Sequence, residues 1–242
     1  MEEERRGAAQ VAPEGSLLSG GVRFPAIDLA VFDLDGTLID SKRDLAESVN
    51  ATLSHMGLPG IDHRTIESYV GNGAPVLMQR ALGQHASDDN IERALSYFLE
   101  HYHAHMLDYT ALYPGVRESL EQVHEAGIRL AVLTNKPVRN TKGILAGLGI
   151  VALFDRAYGG NSFPQRKPHP MGLEALMSEF STPSVRTLMI GDSAIDIRTA
   201  RNAQVASAGL TYGFQPETFE TDPPDFVYDA MLPLVKDILA AR

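Results

Sequence analysis

Apolar residues follow two different patterns along this chain, and the change of pattern predicts its architecture. Between residues 42 and 109 they recur every three or four positions, which predicts four helices with short connections and no strand. From residue 113 onward, continuous apolar runs alternate with helical spacing, as in successive βαβ units. One more such run, residues 29–34, precedes the helices. We therefore predict an α/β protein with a doubly wound, mostly parallel sheet and an all-helical segment inserted after its first strand.

The same change of pattern predicts three parts of the chain. Residues 23–41 and 110–242 are expected to form one α/β core, and residues 42–109 a helical cap. Residues 1–22 are mostly charged and small, with a single apolar pair that is too short for a secretory signal. We expect them to form a disordered leader. No run of the sequence is apolar and long enough to cross a membrane.

The composition narrows the classes of function. A net charge of −10 over 242 residues argues against nucleic-acid binding, because such proteins neutralise phosphates with clustered Lys and Arg. An anionic small molecule must therefore be attracted by a local site. The absence of cysteine excludes disulfides, thiolate catalysis and zinc-thiolate sites, and it fits a cytoplasmic location. The hydrophobic content of 44% suffices for a core, and both a monomer and a homodimer stay open.

The first apolar run ends in two carboxylates, Asp33 and Asp35, one residue apart. In an extended chain positions i and i+2 point to the same side, so both can converge just past the strand, where open α/β sheets bind ligands. Clustered carboxylates repel each other and persist where a cation or a reaction uses them. Mg²⁺ prefers such oxygen ligands, and a carboxylate can also attack phosphorus. The alternative is a surface turn, in which Asp followed by Gly is common.

Two later strands also end in polar residues. Thr134 and Asn135 follow one of them, Asp192 and then Asp196 follow the other, and Lys167 lies between the two in sequence. Taken singly, these residues are ordinary helix caps or a solvated lysine. In a parallel sheet, however, all three strand ends lie along one edge. A phosphoryl group in transfer needs a cation, a lysine and hydrogen-bond donors around it, which this set can supply.

Four motifs in this order resemble those of the haloacid dehalogenase superfamily, over residues 27–240: Phe32-Asp33-Leu34-Asp35-Gly36-Thr37-Leu38, Thr134-Asn135, Lys167-Pro168 and Gly191-Asp192 with Asp196. The resemblance implies a Rossmann-like core and Mg²⁺-dependent phosphate chemistry. It implies that Asp33 is the nucleophile and a metal ligand, and that Asp35 is the general acid/base with its backbone carbonyl on the metal. It also implies that Thr134 and Lys167 are catalytic residues that contact phosphate, and that Asn135 contacts phosphate as well. Asp192 is implied to be a metal ligand, and Asp196 to support the residues around the metal.

Within the superfamily the chain is most similar to bacterial phosphoglycolate phosphatases, which implies hydrolysis of 2-phosphoglycolate to glycolate and phosphate. The stretches that carry this resemblance are Asp40-Ser41, Asp44-Leu45-Ala46, Gly71-Asn72-Gly73, Tyr113-Pro114-Gly115-Val116, Thr134-Asn135-Lys136, Lys167-Pro168-His169-Pro170 and Leu210-Thr211-Tyr212-Gly213. Three positions depart from that family's pattern: Asn161 where an acidic residue is usual, Gly172 where Pro is common, and Gln204 where Gly is expected near a helix end.

Selection among esters is expected to lie in the inserted helices, because the strand ends reach only the phosphoryl group and the metal. A second anion, such as the carboxylate of 2-phosphoglycolate, needs a cation or amide donors. The candidates are Lys42, Arg43, Arg80 and Asn72, the last in a glycine-flanked loop that can close over the site. The alternative is that the cations are solvated and the glycines only join two helices.

Other functions stay open from the sequence. Sugar-phosphate phosphatases, inorganic pyrophosphatases and phosphomutases belong to the same superfamily. Outside enzymes, a phospho-accepting receiver module also places Asp, Thr and Lys at parallel strand ends and binds Mg²⁺. The inserted helices oppose that interpretation, and so does Asp35, which is placed to activate water.

Overall fold

The structure, a computed structural model, describes residues 24–242, and the leader predicted over residues 1–22 lies outside the described residues. Short, mostly buried runs form its strands. These are β1 (Leu29–Phe32), β2 (Ile39–Asp40), β3 (Ala111–Leu112), β4 (Arg129–Leu133), β5 (Arg156–Tyr158), β6 (Thr187–Gly191), β7 (Ala206–Leu210) and β8 (Phe226–Tyr228).

The segments with helical spacing form α-helices. These are α1 (Lys42–His55), α2 (His63–Glu67), α3 (Ala74–Leu82), α4 (Asp88–His105), α5 (Val116–Glu125), α6 (Val138–Gly147), α7 (Met171–Phe180), α8 (Ala194–Asn202) and α9 (Met231–Ala240). Apolar spacing extends the helical pattern of α7 back to Pro168, but the helix begins only at Met171. The reason is that Pro170 disfavours the helical conformation of the residue before it.

Six strands form one parallel sheet in the order β5-β4-β1-β6-β7-β8. The first strand, β1, lies in the middle, where Phe32 aligns with Val132 of β4 and with Ile190 of β6. The carboxyl ends of these three strands therefore meet at one edge of the sheet. The predicted α/β fold with a mostly parallel sheet is confirmed.

Helices cover both faces of the sheet, and alternation along β1 shows how the two faces are assigned. Leu29 and Val31 belong to an apolar cluster with α7 and α8. Ala30 and Phe32 belong to the larger cluster, which includes residues of α5, α6 and α9. A strand buried on both faces gains from every side chain, at about 25 cal/mol per Å² of apolar surface removed from water. The middle of the sheet is thus a rigid base for the residues that follow β1.

The four helices α1–α4 leave the sheet between β1 and β4, and we call Lys42–His105 the helical insertion. Its two ends are tied together beside the sheet. The short strands β2 and β3 pair antiparallel, and the buried carboxylate of Asp44 accepts hydrogen bonds from the backbone N–H groups of Tyr109 and Thr110 at 2.8–3.1 Å. These contacts fix where the insertion starts and ends relative to the edge of the sheet. Within residues 24–242, none of the helices has the length and apolar character needed to span a bilayer.

Candidate active site

The chain passes Asp33 and Asp35 at the carboxyl end of β1 and then turns at Gly36. The Asp33 N–H donates to the carbonyl of Ile190 at 2.9 Å, which extends the contact with β6 by one residue. Both carboxylates line one cavity, as alternation along an extended chain predicts. Gly36 has a φ of +82°, and a Cβ there would lie 2.2 Å from Oδ2 of Asp192. The turn therefore requires glycine both for its backbone angle and for the carboxylate beside it.

Lys167 lies between two carboxylates, and its side chain is 2% exposed. Its Nζ is 2.9 Å from Oδ1 of Asp33 and 2.7 Å from Oδ1 of Asp196. The other carboxylate oxygen of Asp196 accepts from the backbone N–H and the hydroxyl of Ser193, which caps α8. The first turn of α8 thus orients Asp196, and Asp196 holds the ammonium against Asp33.

Asp192 follows β6 and is buried beside the other carboxylates. Its Oδ1 accepts from the Thr37 hydroxyl at 3.0 Å, and its Oδ2 accepts from the Phe214 N–H at 2.7 Å. Asp33, Asp192 and Asp196 each place one carboxylate oxygen within 4.8 Å of the other two. This is an all-oxygen donor set of the kind that hard divalent cations prefer.

The electrostatics of this cluster favour a bound cation. Burial, together with the neighbouring Asp196 charge, raises the pKa of Asp33 to about 6 against the opposing effect of the Lys167 charge. Burial and the neighbouring carboxylates Asp196 and Asp33 likewise raise the pKa of Asp192 well above its ordinary value. Three carboxylates face one ammonium, so two negative charges are left over when all are ionised. A divalent cation held by Asp33 and Asp192 would balance them, and the residues present fit Mg²⁺.

Thr134 and Asn135 follow β4 and lie at the same edge. The Thr134 N–H donates to the carbonyl of Tyr158 at 3.0 Å, which continues the contact with β5. The Asn135 amide donates to the carbonyls of Gly71 and Lys167, both at 2.9 Å. This side chain therefore connects a loop of the helical insertion to the loop that carries Lys167. With both amide hydrogens engaged, its remaining side-chain atom is a buried Oδ1 acceptor without a partner among residues 24–242.

Lys136 is a site residue to which sequence reasoning assigned no role. Its Nζ lies 2.7 Å and 2.8 Å from the two carboxylate oxygens of Asp35, and its side chain is 4% exposed. The Ser41 hydroxyl donates to Oδ1 of the same carboxylate at 2.5 Å. Although burial lowers the pKa of Lys136, the Asp35 charge raises it above its ordinary value. A signal for this residue exists in the sequence: Lys136 follows Thr134 by two positions, as Asp35 follows Asp33.

A cavity of about 50 Å³ separates this edge from the helical insertion. The sheet side contributes Asp33, Asp35 and Lys136, and the insertion contributes mostly apolar side chains together with Tyr102 of α4. The Tyr102 hydroxyl is buried and has no hydrogen-bond partner in the described part of the chain. Lys136 Nζ lies 4.6 Å from the centre of the Tyr102 ring. This space beside the two carboxylates is thus small and mostly apolar.

The four polar residues predicted to select the substrate lie elsewhere on the insertion. Lys42 pairs with Glu67 at 2.8 Å, and Arg43 pairs with Glu47 at 2.8 Å. The remaining two make backbone contacts: Arg80 donates to the Tyr69 carbonyl at 3.2 Å, and the Asn72 carbonyl accepts from Arg166. None of the four lines the cavity, although Gly71 and Gly73 do. Their role in substrate binding stays a prediction.

Two of the three departures from the family pattern have local explanations, and nothing in the structure explains the third, Gln204. Asn161 accepts from the Val138 N–H at 2.9 Å, so it satisfies a donor at the first turn of α6. Gly172 lies at the start of α7, where an added Cβ would come 2.6 Å from Leu133. Gln204 follows α8 with a φ of +57°, the left-handed conformation for which Gly is expected. None of the three lines the cavity.

The chain is similar to known proteins of one family. Residues 30–210 match the family described as haloacid dehalogenase-like hydrolase. A phosphoglycolate phosphatase of Vibrio vulnificus (strain CMCP6) is 40% identical over 222 residues, covering 89% of this chain and 97% of that protein. Another, of Colwellia psychrerythraea, is 42% identical over 193 residues, covering 77% of this chain and 85% of its own.

Solved structures agree with the sequence comparisons. The crystal structure of a predicted phosphoglycolate phosphatase from Haemophilus somnus 129pt has a TM-score of 0.83 and 36% identity, covering 87% of this chain and 97% of that one. The family match spans the strands β1, β4, β6 and β7 and the insertion between the first two. The chain therefore belongs to the haloacid dehalogenase-like hydrolase family.

Proposed function

We propose that the protein is a Mg²⁺-dependent phosphatase that hydrolyses a small phosphate monoester through a phosphorylated Asp33. The observation that carries this proposal is the pair of carboxylates at the end of β1, one of which lies 2.9 Å from the buried ammonium of Lys167. Lys167 favours the ionised form of Asp33 and supplies positive charge where a phosphoryl group would approach. Asp35 lines the same cavity two residues along the chain.

In the first half of the proposed reaction, a carboxylate oxygen of Asp33 attacks phosphorus and the ester P–O bond breaks. Asp35 donates a proton to the leaving oxygen, so that the alcohol departs neutral. Lys167 and the hydroxyl of Thr134 contact the phosphoryl oxygens, whose negative charge grows in the transition state. Mg²⁺, held by Asp33 and Asp192 when bound, would offset the charge of the phosphoryl oxygens and of the carboxylates.

In the second half, Asp35 has lost its proton and accepts one from a water molecule that attacks phosphorus. The bond between phosphorus and Asp33 breaks, inorganic phosphate leaves, and the Asp33 carboxylate is restored. One residue thus serves as acid and then as base. Repeated turnover separates this reaction from that of a receiver module, which would release phosphate in a single slow burst.

The substrate that we propose is 2-phosphoglycolate. The support is the 40% identity to proteins named phosphoglycolate phosphatase over most of both chains, together with the small size of the cavity. We infer further that residues 42–109 act as a cap over the strand edge, since the insertion supplies one wall of the cavity. A compact ester fits between cap and edge better than a bulky one.

The test is phosphate release from a panel of esters, measured after chelation and again with added Mg²⁺. We expect turnover that depends on Mg²⁺, with 2-phosphoglycolate preferred over sugar phosphates, pyrophosphate and aryl phosphates. Turnover of every ester at the same rate without metal would contradict the proposal. Preference for pyrophosphate or a sugar phosphate would keep the chemistry and change the substrate.

A further inference from the structure

The ion pair between Lys136 and Asp35 creates a problem for the proposed acid/base role of Asp35. Both carboxylate oxygens contact the Lys136 ammonium, and one of them also accepts from the Ser41 hydroxyl. A general acid must turn one oxygen toward the leaving group, within hydrogen-bond distance. At least one of the two contacts between Lys136 and the Asp35 carboxylate must therefore break during turnover.

The same ammonium faces the space in which an ester would lie. Lys136 lines the cavity beside Asp35, and it is the only basic side chain in that lining within residues 24–242. On the opposite wall, Tyr102 presents a buried hydroxyl that has no partner in this range. Leu77 and Phe98 are apolar neighbours in the lining. The cavity thus offers one cation and one spare hydroxyl on a mostly apolar surface.

An anion enters such a space at low cost only beside a buried cation. Lys136 is already removed from water, so binding a second carboxylate there exchanges one ion pair for another. A neutral group at the same position would gain no such partner. The cations Lys42 and Arg43 of the insertion, in contrast, are paired on its surface and lie outside the lining.

We propose that Lys136, assisted by the Tyr102 hydroxyl, binds the second anionic group of the substrate, a carboxylate, and thereby releases Asp35 for proton transfer. This inference rests on the proposed phosphatase function and names the residues that select its substrate. Substrates with a carboxylate two bonds from the ester oxygen both fill the cavity and compete with Asp35 for the ammonium. Phosphate esters without a second anionic group leave the Lys136 and Asp35 pair intact.

The experiment compares 2-phosphoglycolate with ethyl phosphate, in which a methyl group replaces the carboxylate. We expect Lys136→Gln to lower kcat/KM for 2-phosphoglycolate roughly 10²-fold or more, because a buried charge pair loses one partner. The loss on ethyl phosphate should be at least tenfold smaller. Tyr102→Phe should lower kcat/KM for 2-phosphoglycolate by roughly tenfold, again with the smaller loss on ethyl phosphate. Lys142→Gln, the same change at an exposed position of α6, should alter neither.

The outcomes separate this inference from the proposed function. Wild-type protein that hydrolyses neither ester with Mg²⁺ contradicts the proposed function itself. Wild-type turnover with equal losses on both esters in Lys136→Gln means that Lys136 serves only to position Asp35, which overturns the inference alone.

A binding measurement covers the case in which Lys136→Gln is too slow to assay. Calorimetry on Asp33→Asn gives the affinity for each ester without turnover. The same measurement on the double variant, Asp33→Asn with Lys136→Gln, shows how the affinities change without Lys136. Circular dichroism shows that both variants fold. We expect the preference for 2-phosphoglycolate to disappear in the double variant. A preference that survives there overturns the proposal.

Discussion

The carboxyl edge of the sheet and the helical insertion hold their charged residues in opposite ways. At the edge, the side chains of Lys167 and Asp196 are 2% and 0% exposed, and their ion pair measures 2.7 Å. On the insertion, Arg43 and Glu47 form a pair of almost the same length, 2.8 Å, with side chains 56% and 44% exposed. Water screens the second pair and is excluded from the first. Two ion pairs of nearly equal length therefore differ in how much the loss of one partner costs.

The difference follows from what supports each pair. Asp33 and Asp192 follow the strands β1 and β6, which are hydrogen-bonded on both sides. Asp196 is held by Ser193 in the first turn of α8, and the loop residue Lys167 is held by its contacts with Asp33 and Asp196. Arg43 and Glu47 lie one turn apart on the exposed surface of α1, where the Arg43 guanidinium also lies over the Tyr109 ring. The edge is therefore suited to chemistry that needs fixed positions, and the loss of any one partner there leaves a buried charge unpaired.

Replacing the proposed nucleophile at the edge should have the largest effect on turnover. Asp33→Asn keeps the shape of the side chain and removes the charge that attacks phosphorus, so we expect turnover to fall roughly 10³-fold or more while the fold is kept. Asp40→Asn makes the same change at an exposed position of β2 and should leave turnover nearly unchanged. Phosphate release and circular dichroism measure the two effects. Full activity in folded Asp33→Asn protein would rule out the covalent route.

Removing one lysine from each region tests the comparison in terms of stability. Lys167→Met leaves Asp33 and Asp196 buried beside each other without their cation, and we expect the free energy of unfolding to fall by about 3–5 kcal/mol. Lys42→Met removes a half-exposed partner of Glu67 and should cost about 0–1 kcal/mol. Urea denaturation of both variants gives the two values. Similar small losses would show that the charges at the edge are no more dependent on their partners than those on the surface of the insertion.

Asp192→Asn tests the metal at the edge. It replaces a negative ligand by a neutral one, so we expect the Mg²⁺ concentration for half-maximal activity to rise roughly 10- to 100-fold. Part of the lost activity should return at high Mg²⁺. Asp222→Asn is the matched control, because Asp222 pairs with Arg198 and Arg201 and is not one of the three carboxylates of the cluster. An unchanged Mg²⁺ requirement in Asp192→Asn would remove this residue from the metal site.

Much of the edge could be predicted from the sequence because its geometry is local. An apolar run that ends in Asp33 and Asp35 places both side chains by alternation, and parallel strands bring Asp192 to the same edge. The helical insertion could be recognised by its spacing for the same reason. The ribbon of β2 and β3 could not, since strands of two residues show no alternation.

Contacts between distant segments could not be predicted in this way. Lys136 meets Asp35 across 101 positions, and nothing in the spacing says which carboxylate a lysine after β4 will find. The phosphate contact of Asn135 stays a prediction, and the sequence gives no sign that its amide donates to the Gly71 and Lys167 carbonyls. Such contacts depend on how the insertion packs on the sheet. The roles of Asn72 and Arg80 stay predictions for the same reason.

The two regions also differ in how they use left-handed backbone, and the effect expected from this difference is the smallest. At the edge the left-handed residue Gly36 is confined by Asp192, whereas after α8 the same region of φ is occupied by Gln204 at +57°. There the Val205 N–H donates to the Ala200 carbonyl and closes the helix end, an arrangement that favours glycine.

Gln204→Gly relieves the left-handed strain of a residue with a Cβ, about 1–2 kcal/mol, and gives back part of that gain by loosening the unfolded chain. We expect a net rise of about 0.5–1 kcal/mol in the free energy of unfolding, with no change in turnover. Ser181→Gly, at a φ of +52° after α7, is the matched case and should give a rise of the same size. Urea denaturation and phosphate release on both variants check this. A stability gain accompanied by lost activity would mean that the backbone after α8 is coupled to the residues at the edge of the sheet.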